Sequence, residues 1–327
     1  MYSKEIEVKH TGRKWGMDDR IMVWGSCFAT ELYARLYSEL FNVQDSPYGV
    51  MYNPLSLAEG VSRLLDGCKP SEEELFYHLG EWHSPLHHGS YSHADKAIAL
   101  QRMQERWESA RDHIRALGLL VVTFGTSYVY ELAGEAQSVV NNCHRLPSER
   151  FERRRLSVSE IVESWVPLVE RLRGTMREGA QVVFTVSPIC HYRDGAHESR
   201  LSKAVLLLAI EEILAQVGGL YFPAYEIQLD ELRDYRFFKD DFAHPTSHAV
   251  DHILGKFMAA YIEEPSYMTR WSRLRKMLDH KPMTTNIEVR RSYYEELQNR
   301  LLEMQEVRRH PYLTAQIERV ERLLQQD

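Results

Sequence analysis

The clearest pattern in the sequence is a set of short, almost wholly apolar runs. They are residues 21–24, 119–124 and 181–186, with a shorter run at 220–222. A strand that is covered by helices on both faces has no polar side, so such runs are typical of parallel sheets. Residues 41–43 are predicted as a further, edge strand.

Between these runs, apolar residues recur at helical spacing. After the first run they repeat every four positions, at Phe28, Leu32, Leu36 and Leu40. Ser157 and Glu160 have the spacing of a capping box, and residues 202–217 predict another helix. Strands that alternate with helices favour a parallel sheet with right-handed crossovers. The chemistry of such sheets collects at the carboxyl ends of the strands.

Two regions depart from this alternation. Residues 66–115 are first polar and rich in histidine, and then helical in pattern from about Ser92. From Pro265 the chain is charged, with apolar residues at helical spacing. We therefore divide the chain into an α/β domain, residues 1–264, with an insertion at 66–115, and a helical C-terminal extension, residues 265–327. We expect the extension to pack on the core, but a solvated arm or a dimer-forming helix fits the same pattern, so the oligomeric state stays open.

Composition narrows the class of protein. The 327 residues include 40 lysines and arginines against 47 aspartates and glutamates, a net charge of −7. This acidity argues against a nucleic-acid partner. No apolar run approaches the roughly 18 residues of a membrane span, and residues 1–5 do not begin a secretory signal. The four cysteines include no Cys-x-x-Cys pair, and four reduced thiols favour a cytoplasmic location.

Reactive residues follow the predicted strands. Ser26 and Cys27 come directly after the first strand, where a helix is predicted to begin. A helix N-terminus stabilises an anion and favours the thiolate of a cysteine placed there. Beyond the fourth strand, Asp241 and His244 have a spacing at which an aspartate can orient a histidine as a general base. The sequence therefore points to acyl transfer or ester hydrolysis.

Residues 23–29, Val-Trp-Gly-Ser-Cys-Phe-Ala, contain the five-residue string after which the GSCFA family is named. Segments that resemble other blocks of that family begin at Asn53, Gly125, Ser187 and Asp241. The helical C-terminal region is also similar, so the resemblance spans nearly the whole chain. The family resembles the SGNH, or GDSL-like, hydrolase superfamily. That resemblance implies a three-layer α/β/α sandwich with a five-stranded parallel sheet, and no tightly bound cofactor.

The resemblance also implies roles for individual residues. Superfamily members begin their first helix with Gly-Asp-Ser and use the serine as nucleophile. Cys27 stands at the serine position here and Ser26 at the aspartate position, so Cys27 is the implied nucleophile and Ser26 the alternative. Asp241 and His244 match the Asp-x-x-His-Pro block of the superfamily, which implies that they complete a catalytic triad.

The superfamily builds its oxyanion hole from the amide of the nucleophile, a glycine amide and an asparagine side chain. The resemblance implies Gly49 as that glycine, whereas Ser127 stands at the asparagine position. A serine hydroxyl reaches less far, so Asn53 is a candidate substitute. Gly125 and His191, which follow the second and third strands, are further candidates for the oxyanion or substrate site. Their alternatives are a turn glycine and a structural histidine.

Five histidines lie close together in the polar part of residues 66–115: His78, His83, His87, His88 and His93. Pro85 disfavours the helix that would align His83 with His87, and no carboxylate or cysteine has zinc-site spacing. We therefore predict no metal site, but a polar loop or lid. That its aromatic and histidine residues line the substrate cleft is a hypothesis.

Two functions of different classes fit these observations. The first is an SGNH-like acyl-transfer enzyme, an esterase or O-acyltransferase, that acts on a small-molecule or carbohydrate ester and can accept an acyl thioester as donor. A hydrolase that uses Ser26 is a variant of it. The second is a non-catalytic binding protein on the same fold, which the departure at Ser127 would suit. The acyl group and the acceptor stay open.

Overall fold

The computed structural model describes residues 4–10, 12–134, 139–280 and 282–326. The strands are β1 (Arg20–Gly25), β2 (Val43–Asp45), β3 (Phe76–His78), β4 (Glu81–His83), β5 (Leu117–Phe124), β6 (Tyr128–Leu132), β7 (Val139–Val140), β8 (Phe151–Arg155), β9 (Gln181–Val186) and β10 (Leu220–Phe222). The helices are α1 (Cys27–Ser38), α2 (Pro54–Asp66), α3 (Lys96–Ile114), α4 (Val158–Thr175), α5 (Gly195–Val217), α6 (Ala224–Glu226), α7 (Ser247–Tyr261), α8 (Met268–Asp279), α9 (Ile287–Val307) and α10 (Pro311–Gln326). In this described part of the chain, every helix is too short or too polar to cross a bilayer.

The central sheet has the strand order β10-β9-β5-β1-β2, and every neighbouring pair is parallel. Its register aligns Val23 with Val121 and Val121 with Val183 across the three middle strands. The prediction of a three-layer α/β/α sandwich with a five-stranded parallel sheet is confirmed. Because the chain adds strands on opposite sides of β1, the carboxyl ends of β1 and β5 form the switch point at which such folds bind ligands.

The alternation of side chains along the strands separates two apolar cores. In β1, Met22 and Trp24 pack with apolar residues of α2, α3, α4 and α5 on one face of the sheet. Ile21 and Val23 pack on the other face with apolar residues of α1 and α7. Both faces are therefore covered, and this explains why the strands have no polar side.

Helix α1 is shorter than its apolar pattern suggests. Phe28, Leu32 and Leu36 form the buried stripe that the spacing predicts. The helix ends at Ser38, however, and Leu40 adopts a positive φ of 67° beyond it. The reversal directs Leu40 into a different core, which the C-terminal helices form.

The insertion between α2 and β5 is ordered as a hairpin and a helix. Strands β3 and β4 are antiparallel, and the two turn residues between them, Leu79 and Gly80, both have positive φ. The predicted helix of this region begins at Lys96, after an Asp95 cap, and ends at Ile114. Strands β6, β7 and β8 form a second, antiparallel sheet that the sequence pattern did not predict, because these short strands lack a long apolar run.

The C-terminal extension packs on the end of α1 and supplies hydrogen-bond donors to its last carbonyl groups. Trp271 Nε1 donates to the Ser38 carbonyl at 2.8 Å, and Arg308 Nε donates to the Leu40 carbonyl at 3.1 Å. The last carbonyls of a helix lack partners within the helix itself. These donors therefore compensate for the burial of that end. The boundary at residue 264 itself stays a prediction.

We expect Leu301→Ala to destabilise the protein far more than Leu302→Ala. Leu301 is fully buried in the core of the extension, whereas its neighbour Leu302 is 42% exposed. Truncation of a buried leucine costs about 2–5 kcal/mol, and truncation at an exposed position changes stability by about 0.5 kcal/mol or less. Chemical denaturation of the full chain measures both. Equal unfolding midpoints for the two variants would contradict this packing.

Candidate active site

The turn from β1 into α1 places a cysteine at the start of a helix. Gly25 ends β1 with a φ of 139°, and a Cβ at this position would lie 2.2 Å from the carbonyl oxygen of Thr123 in β5. Only glycine fits so close to the neighbouring strand. The chain therefore turns at once, with Ser26 as the N-cap and Cys27 as the first residue of α1.

The two candidate nucleophiles differ in accessibility. The Ser26 side chain is buried, with 1% of the residue exposed, and its hydroxyl has no hydrogen-bond partner in the described part of the chain. Cys27 is only partly buried and lines a cleft of about 820 Å³. A substrate in this cleft can reach Cys27, whereas Ser26 points into the protein interior.

His244 lines the same cleft as Cys27 and is held by Asp241. One carboxylate oxygen of Asp241 accepts the backbone N–H groups of Ala243 and His244, each at 2.9 Å. The other lies 2.6 Å from Nδ1 of His244. The backbone hydrogen bonds, that of His244 first, lower the pKa of Asp241 to about 2. An ionised carboxylate accepts the Nδ1 proton, so Nε2 of His244 is left as the basic nitrogen.

The Cys27 thiol contacts a tyrosine that the sequence analysis did not identify. Among the described residues, the hydrogen-bond partner of Cys27 Sγ is the hydroxyl of Tyr52, at 3.7 Å, and not His244. Burial and the neighbouring Cys27 raise the pKa of Tyr52. Tyr52 directly precedes the Asn-Pro-Leu-Ser segment at Asn53, and this adjacency was the one sequence signal that could have identified it.

His191, in the loop after β9, lies beside Tyr52. Its ring meets the Tyr52 ring edge-on, with centroids 6.3 Å apart. Burial lowers the pKa of His191 to about 4, with further contributions from the positive charges of Lys203 and His244. The imidazole is therefore neutral at pH 7. Within the described residues its Nε2 is buried without a hydrogen-bond partner.

The three candidate oxyanion donors other than Cys27 are engaged in structural hydrogen bonds. The Gly49 amide donates to the Ser46 carbonyl at 3.1 Å. The Asn53 side chain caps α2 through the backbone and hydroxyl of Ser56. The Ser127 hydroxyl donates to Ser202, at 3.0 Å. Their assignment as oxyanion donors stays a prediction that these contacts do not favour.

Gly125 allows two loops to meet beside the nucleophile. Its amide donates to the Tyr52 carbonyl at 2.8 Å. A Cβ on Gly125 would lie 3.0 Å from that carbonyl oxygen and 3.2 Å from Cβ of Ser26. The close approach accounts for glycine at this position through packing, and contact with a substrate stays a prediction.

A buried lysine, Lys203 of α5, ties the strand ends together. Its Nζ donates to the carbonyl of Gly125 at 2.7 Å and to that of Ser187 at 2.9 Å, so it connects the loops after β5 and β9. Burial lowers the pKa of Lys203 to about 7. The sequence pattern did not identify this role, because only the tertiary fold brings α5 over both loops.

The histidine-rich segment has structural contacts. His83 is buried between Ser92 and the His78 carbonyl, and His87 is buried against Ser84. Burial lowers the pKa of His87 to about 3. No described residue of 66–115 lines the Cys27 cleft, so the hypothesis that this loop forms a cleft wall is not supported. In the described ranges, no three His, Cys, Asp or Glu residues form a group suited to a metal ion.

The fold and the site together define an α/β/α sandwich protein with a cysteine, a histidine and an aspartate beside the carboxyl end of β1. The chain belongs to the GSCFA family, whose model matches residues 20–257. This range includes Cys27, Asp241 and His244, and the C-terminal extension lies outside it. A comparison with curated proteins gives no match.

We expect Lys203→Met to remove a pH-dependent part of the stability. The folded-state pKa near 7 lies below the usual lysine value of about 10.4. Between these values the unfolded chain binds the additional proton, so this group makes the free energy of unfolding rise with pH, by at most about 1.4 kcal/mol per pH unit. Loss of the Lys203 proton leaves both hydrogen bonds in place, because a neutral amine still has two N–H donors for the carbonyls of Gly125 and Ser187.

Denaturation of wild type and Lys203→Met at pH 6.5 and pH 9 measures this difference. The wild type should gain stability relative to the variant at the higher pH. Lys69→Met, at an exposed lysine, is the control that should follow the wild type. Parallel pH profiles of wild type and Lys203→Met would contradict the depressed pKa.

Proposed function

We propose that this GSCFA-family protein is an acyl-transfer enzyme, an esterase or O-acyltransferase, with Cys27 as its covalent nucleophile. The observation that carries this proposal is the cleft that Cys27 and His244 share, together with the 2.6 Å contact that orients His244 on Asp241. A nucleophile, a base and a group that orients the base are the elements of covalent acyl transfer.

In the first half of the reaction, Nε2 of His244 takes the thiol proton and Sγ of Cys27 attacks the carbonyl carbon of the acyl donor. The tetrahedral intermediate collapses, the bond to the leaving oxygen or sulfur breaks, and His244 returns the proton to the leaving group. The product is an acyl thioester on Cys27. In the second half, His244 takes a proton from water or an acceptor hydroxyl, whose oxygen attacks the thioester. His244 then gives that proton to the departing thiolate.

His244 suits the role of base better than His191. The carboxylate of Asp241 stabilises the imidazolium that forms when His244 takes a proton. His191 instead lies beside positive groups, and its pKa of about 4 makes it a weak base at neutral pH.

The start of α1 supports Cys27 as nucleophile. The Ser26 side chain does not cap this helix, so it does not occupy the amides of Cys27 and Phe28, whereas the Ala29 amide donates to the Ser26 carbonyl. The Cys27 amide can therefore donate to the oxyanion of the intermediate, at the positive end of the helix dipole. The burial of Ser26 argues against a serine nucleophile.

The cleft wall contains charged side chains that suit a hydroxylated acceptor such as a carbohydrate. Its walls include Glu31, Arg35 and Asp251, and Tyr312 of α10 also lines it. A cysteine nucleophile exchanges acyl groups readily with thioesters, so an acyl thioester is an equally suitable donor. All four cysteines are free thiols, and we propose a cytoplasmic location, where thiols stay reduced.

A second candidate function is a non-catalytic binding protein that uses the same cleft. It is favoured by the engagement of Gly49, Asn53 and Ser127 in structural contacts, and by the preference of the thiol for Tyr52 over His244. Catalytic contacts often tighten only when substrate binds, so we place the acyl-transfer function first.

We expect wild-type protein to form an acetyl adduct on Cys27 when it is exposed briefly to a small activated acetyl ester. His244→Ala should form the adduct about 10²–10⁴-fold more slowly, because general-base catalysis contributes a factor of this size. Intact-protein mass over time, with peptide mapping, measures both. His197→Ala, at an exposed histidine of α5, is the control and should react like wild type. Equal labelling of wild type and His244→Ala would favour the binding protein.

Substitutions at Ser26 and Cys27 identify which of the two residues is the nucleophile. Cys27→Ala should abolish the adduct, whereas Ser26→Ala should leave most of the labelling rate intact because the Ser26 hydroxyl is buried. The same mass measurement applies to both variants. Persistent labelling of Cys27→Ala together with its loss in Ser26→Ala would assign the nucleophile to Ser26.

A further inference from the structure

We propose that the hydroxyl of Tyr52 is a hydrogen-bond donor to the oxyanion of the reaction and serves where the superfamily uses an asparagine side chain. This inference rests on the proposed function, because it requires Cys27 to form a tetrahedral intermediate.

The backbone of Tyr52 is held firmly beside the nucleophile. Its carbonyl accepts the amide of Gly125 at 2.8 Å and the amide of Thr126 at 3.0 Å. The next residue, Asn53, begins α2 as its N-cap. These contacts hold the backbone from which the Tyr52 side chain extends, as a preorganised donor requires.

The distance from the hydroxyl to the sulfur suits an oxyanion donor. Tyr52 OH lies 3.7 Å from Sγ of Cys27. In the intermediate, the oxyanion is separated from the sulfur by one carbon atom, and a donor must lie about 2.7–3.1 Å from that oxygen. A hydroxyl that already contacts the sulfur at 3.7 Å can reach an oxygen two bonds away from that sulfur.

The protonation state of Tyr52 also fits a donor. Burial, and then the neighbouring Cys27, raise its pKa, so the phenol keeps its proton at neutral pH. It supplies a hydrogen bond as negative charge develops on the oxygen, and no proton leaves Tyr52 at any step. The proton of the thiol still goes to His244.

The other groups considered for this role are occupied. Asn53 caps α2, the Ser127 hydroxyl bonds to Ser202, and the Gly49 amide closes a turn. Tyr52 is the side chain of that region whose polar atom contacts the sulfur of Cys27. The loss of an asparagine at position 127 is then compensated by a hydroxyl from the loop before α2.

A comparison of acylation with alkylation tests this role. Transfer of an acetyl group from an activated ester forms an oxyanion, whereas alkylation of the same thiol by iodoacetamide does not. Both reactions can be followed by mass spectrometry on the tryptic peptide of residues 21–35, which contains Cys27 and no other cysteine. Tyr52→Phe removes only the hydroxyl.

We expect Tyr52→Phe to slow acetylation of Cys27 about 10²–10³-fold, the cost of losing one oxyanion donor, and to leave its alkylation close to the wild-type rate. Tyr48→Phe is the matched control: this tyrosine lies in the same loop, and its hydroxyl is buried near Arg63 and is not the partner of the Cys27 sulfur. Tyr48→Phe should leave the rates of acetylation and alkylation of Cys27 close to those of wild type.

Two results would overturn the role of Tyr52 while the proposed function stands. In the first, wild type and Tyr52→Phe acetylate Cys27 equally fast. In the second, Tyr52→Phe slows acetylation and alkylation by the same factor, which would mean that Tyr52 positions the thiol. If wild type alkylates Cys27 but does not acetylate it, the acyl-transfer function itself fails, and the role of Tyr52 is refuted with it.

Discussion

The site depends on one backbone contact, the acceptance of two amides by the Tyr52 carbonyl. The donors, Gly125 and Thr126, belong to the loop after β5, whereas Tyr52 belongs to the loop after β2. In the sheet, β1 lies between these two strands. The contact therefore crosses the carboxyl end of β1, where the chain turns into Cys27. The absence of a side chain at Gly125 lets the loops approach this closely, since a Cβ there would lie 3.0 Å from the Tyr52 carbonyl oxygen.

Lys203 and the C-terminal extension also anchor the elements around Cys27. The extension does so at the far end of α1. Lys203 satisfies the carbonyls of Gly125 and Ser187 at the ends of β5 and β9. Trp271 satisfies the carbonyl of Ser38, the last residue of α1, and Arg308 that of Leu40, two residues beyond it. Helix α1 therefore carries the nucleophile at its first turn and is anchored at its last. This explains how a helical extension outside the matched family range can support the geometry of the cleft.

Sequence patterns predicted those features that depend on a single segment of the chain. The apolar runs predicted β1, β5, β9 and β10 in outline, and the spacing of Phe28, Leu32 and Leu36 predicted the buried face of α1. Asp241 and His244 contact each other because they are three residues apart in one turn. The pattern was wrong at Leu40, because an apolar residue can continue a helical stripe or pack elsewhere after a reversal, and spacing does not distinguish the two.

The sequence by itself determined the class of fold, the helix that begins at Cys27 and the Asp241–His244 pair, since each depends on periodicity or on residues close together in the chain. Only the tertiary structure decided which polar groups are free to act. It showed Asn53 and Ser127 engaged in caps and loops, the histidines of residues 66–115 bonded away from the cleft, and Tyr52 at the sulfur. The reason is physical: a donor that is already engaged in a cap or a loop is not available to a substrate. Its partners are set by segments distant along the chain.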